Sequence, residues 1–388
     1  MSNDTRPNET VAHAKEIIKD IRVEHGVDED LLRKVGNDPE IQSVVLQRKT
    51  VETCSQGVTC FLILQRLVPS DHIGRLSHGL YTKDTHFILE LIQNADDNQY
   101  PAGLTPTLRF QLLDHNIKIL CNEVGFREEN VRAISKIGES TKTLGESKGY
   151  IGEKGIGFKS VFKAADVVYI NSPPYTFKFD TRAVAGQDHL GMLAPTWFNP
   201  STSDYVFPFQ THIKMQLSAS CNTQLLENEL ASIDPAILLF LLKLKRLEIA
   251  FLSKPSKTFT RQDMPGIPNV KISKNVAATR LFPAPLDVSY FYFVHRFTAS
   301  RLPHDSRRAG ITSSEIVLAF PLQNGEPYIT SQLVYAYLPL RDFGFRVSCS
   351  FCSWFETTNA TEVPDPSGLP RSIEQRGYTI LSVERSIA

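Results

Sequence analysis

Four polar residues, His86, Glu90, Asn94 and Asp97, recur at three- and four-residue spacing within YTKDTHFILELIQNADDNQYPAG. In a helix opened by Asp84 as N-cap, all four leave one side, opposite an apolar stripe of Phe87, Ile88, Leu91 and Ile92. The amide oxygen of Asn94 is a neutral hard ligand, suited to a magnesium ion that keeps several waters and is shared with phosphates. Glu90, one helical turn earlier, is placed to orient a water beside a terminal phosphate and act as general base. The competing reading is a solvated polar face of the sort most amphipathic helices carry.

A second stretch, GYIGEKGIGFKS, places glycines at 149, 152, 155 and 157. It is not a Walker A loop, because Phe158 separates Gly157 from Lys159. It is not a dinucleotide fingerprint either, because Ser160 stands where the third glycine belongs. Glycines let backbone N–H groups approach phosphate oxygens, and a helix expected from about Phe158 to Ala164 adds its positive N-terminal end. Lys159 supplies a compact positive charge, with an ordinary solvated lysine as the alternative.

Periodicity gives the elements that must position these groups. Residues 10 to 50 read as helical, with Ala14, Ile17, Ile18 and Ile21 on one face. After the Asp84 helix, LRFQLL and IKILC read as strands joined by Asp114, His115 and Asn116, and a helix runs from about Glu128 to Ile137 before Gly138. VVYI, YTFKFD and HIKMQL are further strands. AILLFLLKLKRLEIAFL, from Ala236 to Leu252, reads as a buried helix leading into a strand at Leu247 to Leu252. The Pro-rich, polar stretch 253–286 reads as a linker or insertion. SYFYFVHRF, SEIVLAFPL and QLVYAYLPL are the clearest later strands.

Composition excludes several classes. Forty-two basic residues balance forty-two acidic ones, which argues against a nucleic-acid or anionic-membrane ligand. The N-terminus is polar and lacks a signal-peptide pattern, and the most apolar run is too short and too charged to span a bilayer. Six cysteines without a repeated pattern point to a reducing compartment, so the expectation is an intracellular protein, cytoplasmic or nuclear. Cys349 and Cys352 form a lone CxxC without the second ligand pair that a structural zinc needs.

The order of these motifs resembles the GHKL superfamily of ATPases, which includes large heat-shock chaperones, MutL-type repair proteins, gyrase B and histidine kinases. ELIQNADD is similar to its N box, CNEVGF stands at its Asp-x-Gly-x-Gly box, and GYIGEKGIGFKS resembles its second glycine box. More narrowly, residues 78 to 218 resemble the NO VEIN and sacsin-like ATPase modules of plants and fungi. The resemblance implies an α+β fold: a two-layer α/β sandwich, its mixed sheet covered by helices, then a second strand-rich α+β domain. The corresponding divisions are a helical region 1–77, an ATP-binding domain 78–220, a helix and linker 221–287, a strand-rich domain 288–345, whole or incomplete, and a divergent tail 346–388. That tail is read as an altered or truncated end, or a disordered extension.

The resemblance implies ATP and Mg2+ as cofactors, Glu90 as base and Asn94 as metal ligand. It further implies nucleotide contacts from Asp97, Gly125, Gly152, Gly155, Gly157, Lys159 and Thr211, and from Lys142 on a lid with Ser140 and Thr141. Cys121 occupies the place of the family's adenine-reading Asp and is a poor acceptor. Asn122 or Glu123 is then the candidate for that role. The expected function is a slow Mg-dependent ATPase with a chaperone-like or scaffolding role, protein clients and a nucleotide-dependent dimer. The alternative is a degenerate nucleotide-sensing or protein-interaction module without hydrolysis. Nucleic-acid processing and histidine kinase activity have little support.

Overall fold

The structure is a computed structural model, which describes residues 10–25, 27, 87–136, 157–182, 188–200, 206–279, 283–300, 313–330, 332–336, 338–342 and 348–351. Helix α1, Val11–Glu24, starts where the Thr10 hydroxyl accepts the His13 N–H at 3.2 Å. Its expected face is buried: Ala14, Ile17, Ile18 and Ile21. Helix α2, Phe87–Asp97, carries the polar series. The proposed N-cap Asp84 lies outside the described residues. Helix α3, Glu128–Ser135, ends short of the expected stop at Gly138.

Strands β1, Thr107–Leu112, and β2, Asn116–Cys121, form the expected hairpin. Strands β3, Ala165–Ser172, β4, Tyr175–Asp180, and β6, Thr211–Leu217, match the three apolar runs that follow. A two-residue strand β5, Thr196–Trp197, pairs with β4 and sits under α1. Arg22 of α1 ties the two by donating to Thr196 Oγ1 at 2.8 Å and to the Pro195 carbonyl. A six-residue helix α4, Asp188–Leu193, packs on β4, and α5, Thr223–Ser232, is capped by Asn222, which accepts the Leu225 N–H at 2.9 Å.

Two expectations are corrected. In the apolar run from Ala236 the expected strand stands as β7, Arg246–Ala250, but the helix before it is only a short 3-10 turn, Pro235–Leu239, followed by a loop. The polar stretch after it holds strands β8, Lys257–Asp263, and β9, Val270–Val276, where a linker was expected. These strands bury only an occasional side chain, such as Phe259 and Ile272, so their apolar signal is faint. Strand β10, Leu286–Ser300, pairs along β9 and β11, Ser313–Gln323. Short strands β12, Glu326–Pro327, β13, Leu333–Ala336, β14, Leu338–Asp342, and β15, Ser348–Phe351, complete the series.

All fifteen strands belong to one sheet, with β12 on β11 and the rest ordered β14-β13-β15-β11-β10-β9-β8-β7-β1-β2-β6-β3-β4-β5. The sheet is mixed. β1 pairs in parallel with β7, and β13 with β15, while the other ladders are antiparallel. The chain is thus a mixed α/β protein built on a large open sheet with few helices. One hydrophobic core runs from α1 and α2 through β1, β2, β3 and β4 to Phe259, Tyr292 and Tyr335. No helix among the described residues is long and apolar enough to cross a membrane.

Candidate functional site

Helix α2 is not a surface helix: nine of its eleven residues are buried. The exceptions are Glu90 and Asn94, which are half-buried and sit one turn apart. A solvated polar face would leave such residues well exposed, so the bland reading fails on burial. Asp97 is buried, and His86 lies outside the described residues.

Two anchors fix the C-terminal end of α2. The carboxylate of Asp96 accepts the backbone N–H groups of Leu242, Lys243 and Leu244 at 2.8, 2.7 and 2.7 Å. In return the Lys243 ammonium donates to the carbonyls of Asp97 and Asn98 at 2.9 and 2.8 Å, where a helix end carries unsatisfied carbonyls. Burial raises the Asp96 pKa above the ordinary carboxylate value, against the three N–H bonds that lower it. The loop so held is a hub. Arg261 of β8 donates to the Leu238 and Leu241 carbonyls, Arg296 of β10 donates to Leu239, and Phe240 stacks on Tyr335 of β13 at 4.2 Å between centroids.

The turn after β2 meets α2 through Tyr100. Its hydroxyl donates to the Ala95 carbonyl at 2.6 Å, one residue past Asn94, and lies 3.4 Å from the Cys121 sulfur. Cys121 is buried, and burial pushes its thiol up to about 12, so it stays protonated. The Asn122 amide is committed to local backbone: Oδ1 accepts the Thr107 N–H at 2.7 Å and Nδ2 donates to the Thr105 carbonyl at 2.8 Å. Glu123 is buried too, and its Oε1 has no hydrogen-bond partner. Desolvation raises its pKa to about 7, against a hydrogen bond from Thr211 that lowers it.

Thr211 opens β6 directly opposite Cys121 in the ladder. Its hydroxyl lies 2.6 Å from that of Ser172, and the Ser172 oxygen accepts the Phe126 N–H at 2.8 Å. Gly125 turns the chain with φ of +95°, and a Cβ there would press on Gln210 Cγ at 3.3 Å and Ser172 Oγ at 3.4 Å. The positive φ favours glycine there, and the close Gln210 contact adds to it. The structure therefore gathers Cys121, Asn122, Glu123, Gly125 and Thr211 around one turn, tied by Tyr100 to the helix of Glu90 and Asn94.

The glycine segment is described only from Gly157, which opens a 3-10 turn, Gly157–Lys163, packed on α2. The helix expected from about Phe158 to Ala164 stands one residue earlier at each end, as a 3-10 rather than an α-helix. Lys142, Gly152 and Gly155 lie outside the described residues. Lys159 is not a solvated lysine. It is buried, donates to the Met192 carbonyl of α4, and its ammonium lies 4.4 Å from the Phe179 ring centroid. Burial lowers its pKa to about 7. The close approach of α4 to β4 depends on Gly191, where a Cβ would stand 2.7 Å from the Thr181 Cα and collide with the Asp180 carbonyl. Gly191→Ala is expected to lower stability by about 1–3 kcal/mol through overpacking against backbone. A urea midpoint equal to that of the parent would contradict the contact.

Sequence reasoning passed over Asp96, Tyr100 and Ser172. Asp96 lies inside the quoted ELIQNADD, but its partners are 146 to 148 residues away and left no local signal. Among the described residues no cluster of three or more His, Cys, Asp or Glu side chains is arranged to hold a metal. The CxxC at 349 and 352 lies partly outside the described residues.

No protein-family model matches the chain. A search of curated proteins finds Protein NO VEIN of Arabidopsis thaliana, 33% identical over 293 residues, which is 70% of this chain and 10% of the plant protein. The chain thus spans about a tenth of the length of the relative it matches. That similarity, over most of this chain and one segment of a far larger protein, supports a place for it in the NO VEIN family.

Proposed function

We propose that the chain is an ATP-binding module of GHKL type that acts as a slow Mg-dependent ATPase, with the shape change of nucleotide binding used on protein clients. The observation that carries this reading is the pair Glu90 and Asn94, the two residues of a buried helix that are left half-buried. On a helix otherwise buried, a carboxylate and an amide one turn apart stay within reach of a ligand. Asn94 would hold the magnesium, whose chemistry when bound is to neutralise phosphate charge. Glu90 would orient the attacking water and take its proton. The turn at Gly125, tied to α2 through Tyr100, would face the base.

The finer GHKL arrangement, an α/β sandwich followed by a second domain, is part of this proposal and rests on the motif order. A nucleotide-dependent dimer is part of it too. The expected result is that Glu90→Ala keeps ATP affinity within about threefold while steady-state phosphate release falls by about 100-fold, the usual size of a general-base contribution. Unchanged turnover in a folded Glu90→Ala chain would remove Glu90 from the chemistry. The second reading, a module that senses nucleotide or binds partners without hydrolysis, is favoured by one observation: the Lys159 ammonium is buried and spent on the Met192 carbonyl.

A further inference from the structure

Side chains alternate along the strands of the sheet. Ile213 and Met215 of β6, with Ile170 and Val168 of β3, enter the core shared with α1 and α2, so the residues between them leave the opposite face. On that face one row crosses four strands as Lys118, Lys214, Tyr169 and Lys178. Lys214 is exposed and the other three are half-buried. The Lys214 and Lys178 ammonium groups lie 5.7 and 5.9 Å from the Tyr169 ring centroid, and Phe198 meets that ring in a T-shaped contact at 5.3 Å. Lys178 is paired with Asp180, but among the described residues Lys118 and Lys214 have no carboxylate partner. They stand directly opposite each other in the ladder, where like charges repel.

Arg109 and His212 leave the same face one row further on, and the turn 206–209 covers them. His212 Nε2 lies 3.0 Å from the Phe209 carbonyl, and the Arg109 guanidinium lies 4.8 Å from the Phe209 ring. Phe207, in that same turn, is 94% exposed. The open face therefore combines unneutralised lysines with two aromatic rings that water reaches.

We propose that this face, centred on the row of Lys118, Lys214, Tyr169 and Lys178, binds single-stranded nucleic acid, its lysines meeting phosphates and Tyr169 and Phe207 stacking on bases. Such binding goes beyond the ATP reading and does not depend on it. It also revises what the balanced net charge led to expect, because a total averages over the chain and three lysines in one row are local.

Charge alone would equally attract an acidic polypeptide, and strand pairing decides between them. β3 and β6 are paired on both sides, so this face offers no open ladder. Extended peptides are held at a sheet edge or in a groove, where their backbone groups are satisfied. A nucleic-acid strand needs neither, since phosphates take the ammonium groups and bases stack on exposed rings. A duplex keeps its bases stacked within itself and gains only the charge.

Fluorescence anisotropy of labelled oligouridine and oligodeoxythymidine of about 20 nucleotides, longer than one such site, tests this with the full chain and without ATP or magnesium. Both strands are expected to bind, with log affinity falling against log salt at a slope of about −2, three lysine contacts at about −0.7 each. A duplex of equal length is expected to bind at least about 10-fold more weakly. Tyr169→Leu is expected to weaken binding by about 5- to 100-fold, the loss of one stacked base. Lys214→Glu sets a carboxylate opposite Lys118, so it keeps or raises the urea midpoint while affinity falls by at least about 10-fold. If Tyr169→Leu does not fold, Lys214→Glu decides alone. Three results overturn the assignment: a folded parent that binds neither strand at low salt, a duplex or a polyglutamate peptide that binds as tightly as the single strands, or affinity unchanged in the folded Lys214→Glu chain.

Discussion

Asp96→Ala is expected to lower the unfolding free energy by about 3–5 kcal/mol, as breaking a buried charged network does. The reason is a count of groups. Three backbone N–H donors, of Leu242, Lys243 and Leu244, end on this one buried carboxylate, and each donor left unpaired costs about 1–3 kcal/mol. Water entering the gap recovers part of the sum. The damage should also spread, because the loop they belong to receives Arg261 from β8 and Arg296 from β10 and carries the stacked Phe240. Urea denaturation checks the magnitude, and hydrogen exchange checks the spread, with protection lost in β7, β8 and β10 together. A loss under about 1 kcal/mol would show that the loop holds itself.

The second large effect has the opposite sign. Lys159→Met is expected to stabilise the protein at neutral pH by about 2–4 kcal/mol. Lys159 is 4% exposed, has no carboxylate beside it among the described residues, and its pKa falls to about 7 from an ordinary 10.5 because burial disfavours the charge. His25, the ionisable neighbour it influences, is itself held low by burial and by Lys159. Between about pH 7 and 10.5 the unfolded chain binds a proton that the folded chain does not, so stability rises with pH across that window. Below about pH 7 both states are charged and the full cost of the buried ammonium is carried. Methionine of similar length removes the cost and the slope, less the hydrogen bond to Met192 and the contact with Phe179. Equal pH profiles for parent and variant would mean that the ammonium reaches water. A phosphate-binding Lys159 predicts a different signature, loss of ATP affinity with little change in stability.

What the sequence disclosed, and what it hid, follows from how local each cause is. The apolar stripe of α2, the β1–β2 hairpin and the strands β3, β4 and β6 are written in spacings of two and of three to four residues, and they stand where expected. In the run from Ala236 the strand was legible and the shortness of the helix before it was not, because a continuously apolar stretch carries no period to show where a helix ends. Strands β8 and β9 were hidden by polar residues that cover only a sheet surface. At the site, residue types and spacing marked Glu90 and Asn94, and the family resemblance added Gly125 and Thr211. Their surroundings were not legible. That Asn122 is spent on Thr105 and Thr107, that Glu123 keeps a free oxygen, and that Lys159 turns inward to Met192 all depend on contacts the chain makes only after folding.

The central claim is that the half-buried pair on α2 serves a magnesium nucleotide. Calorimetric titration of ATP into the full chain, with and without magnesium, beside Asn94→Ala, tests it most directly. The account predicts saturable binding that strengthens with magnesium, and an Asn94→Ala chain that stays folded and loses that strengthening. A folded parent chain that binds no ATP, or an Asn94→Ala variant that responds to magnesium as the parent does, would contradict it.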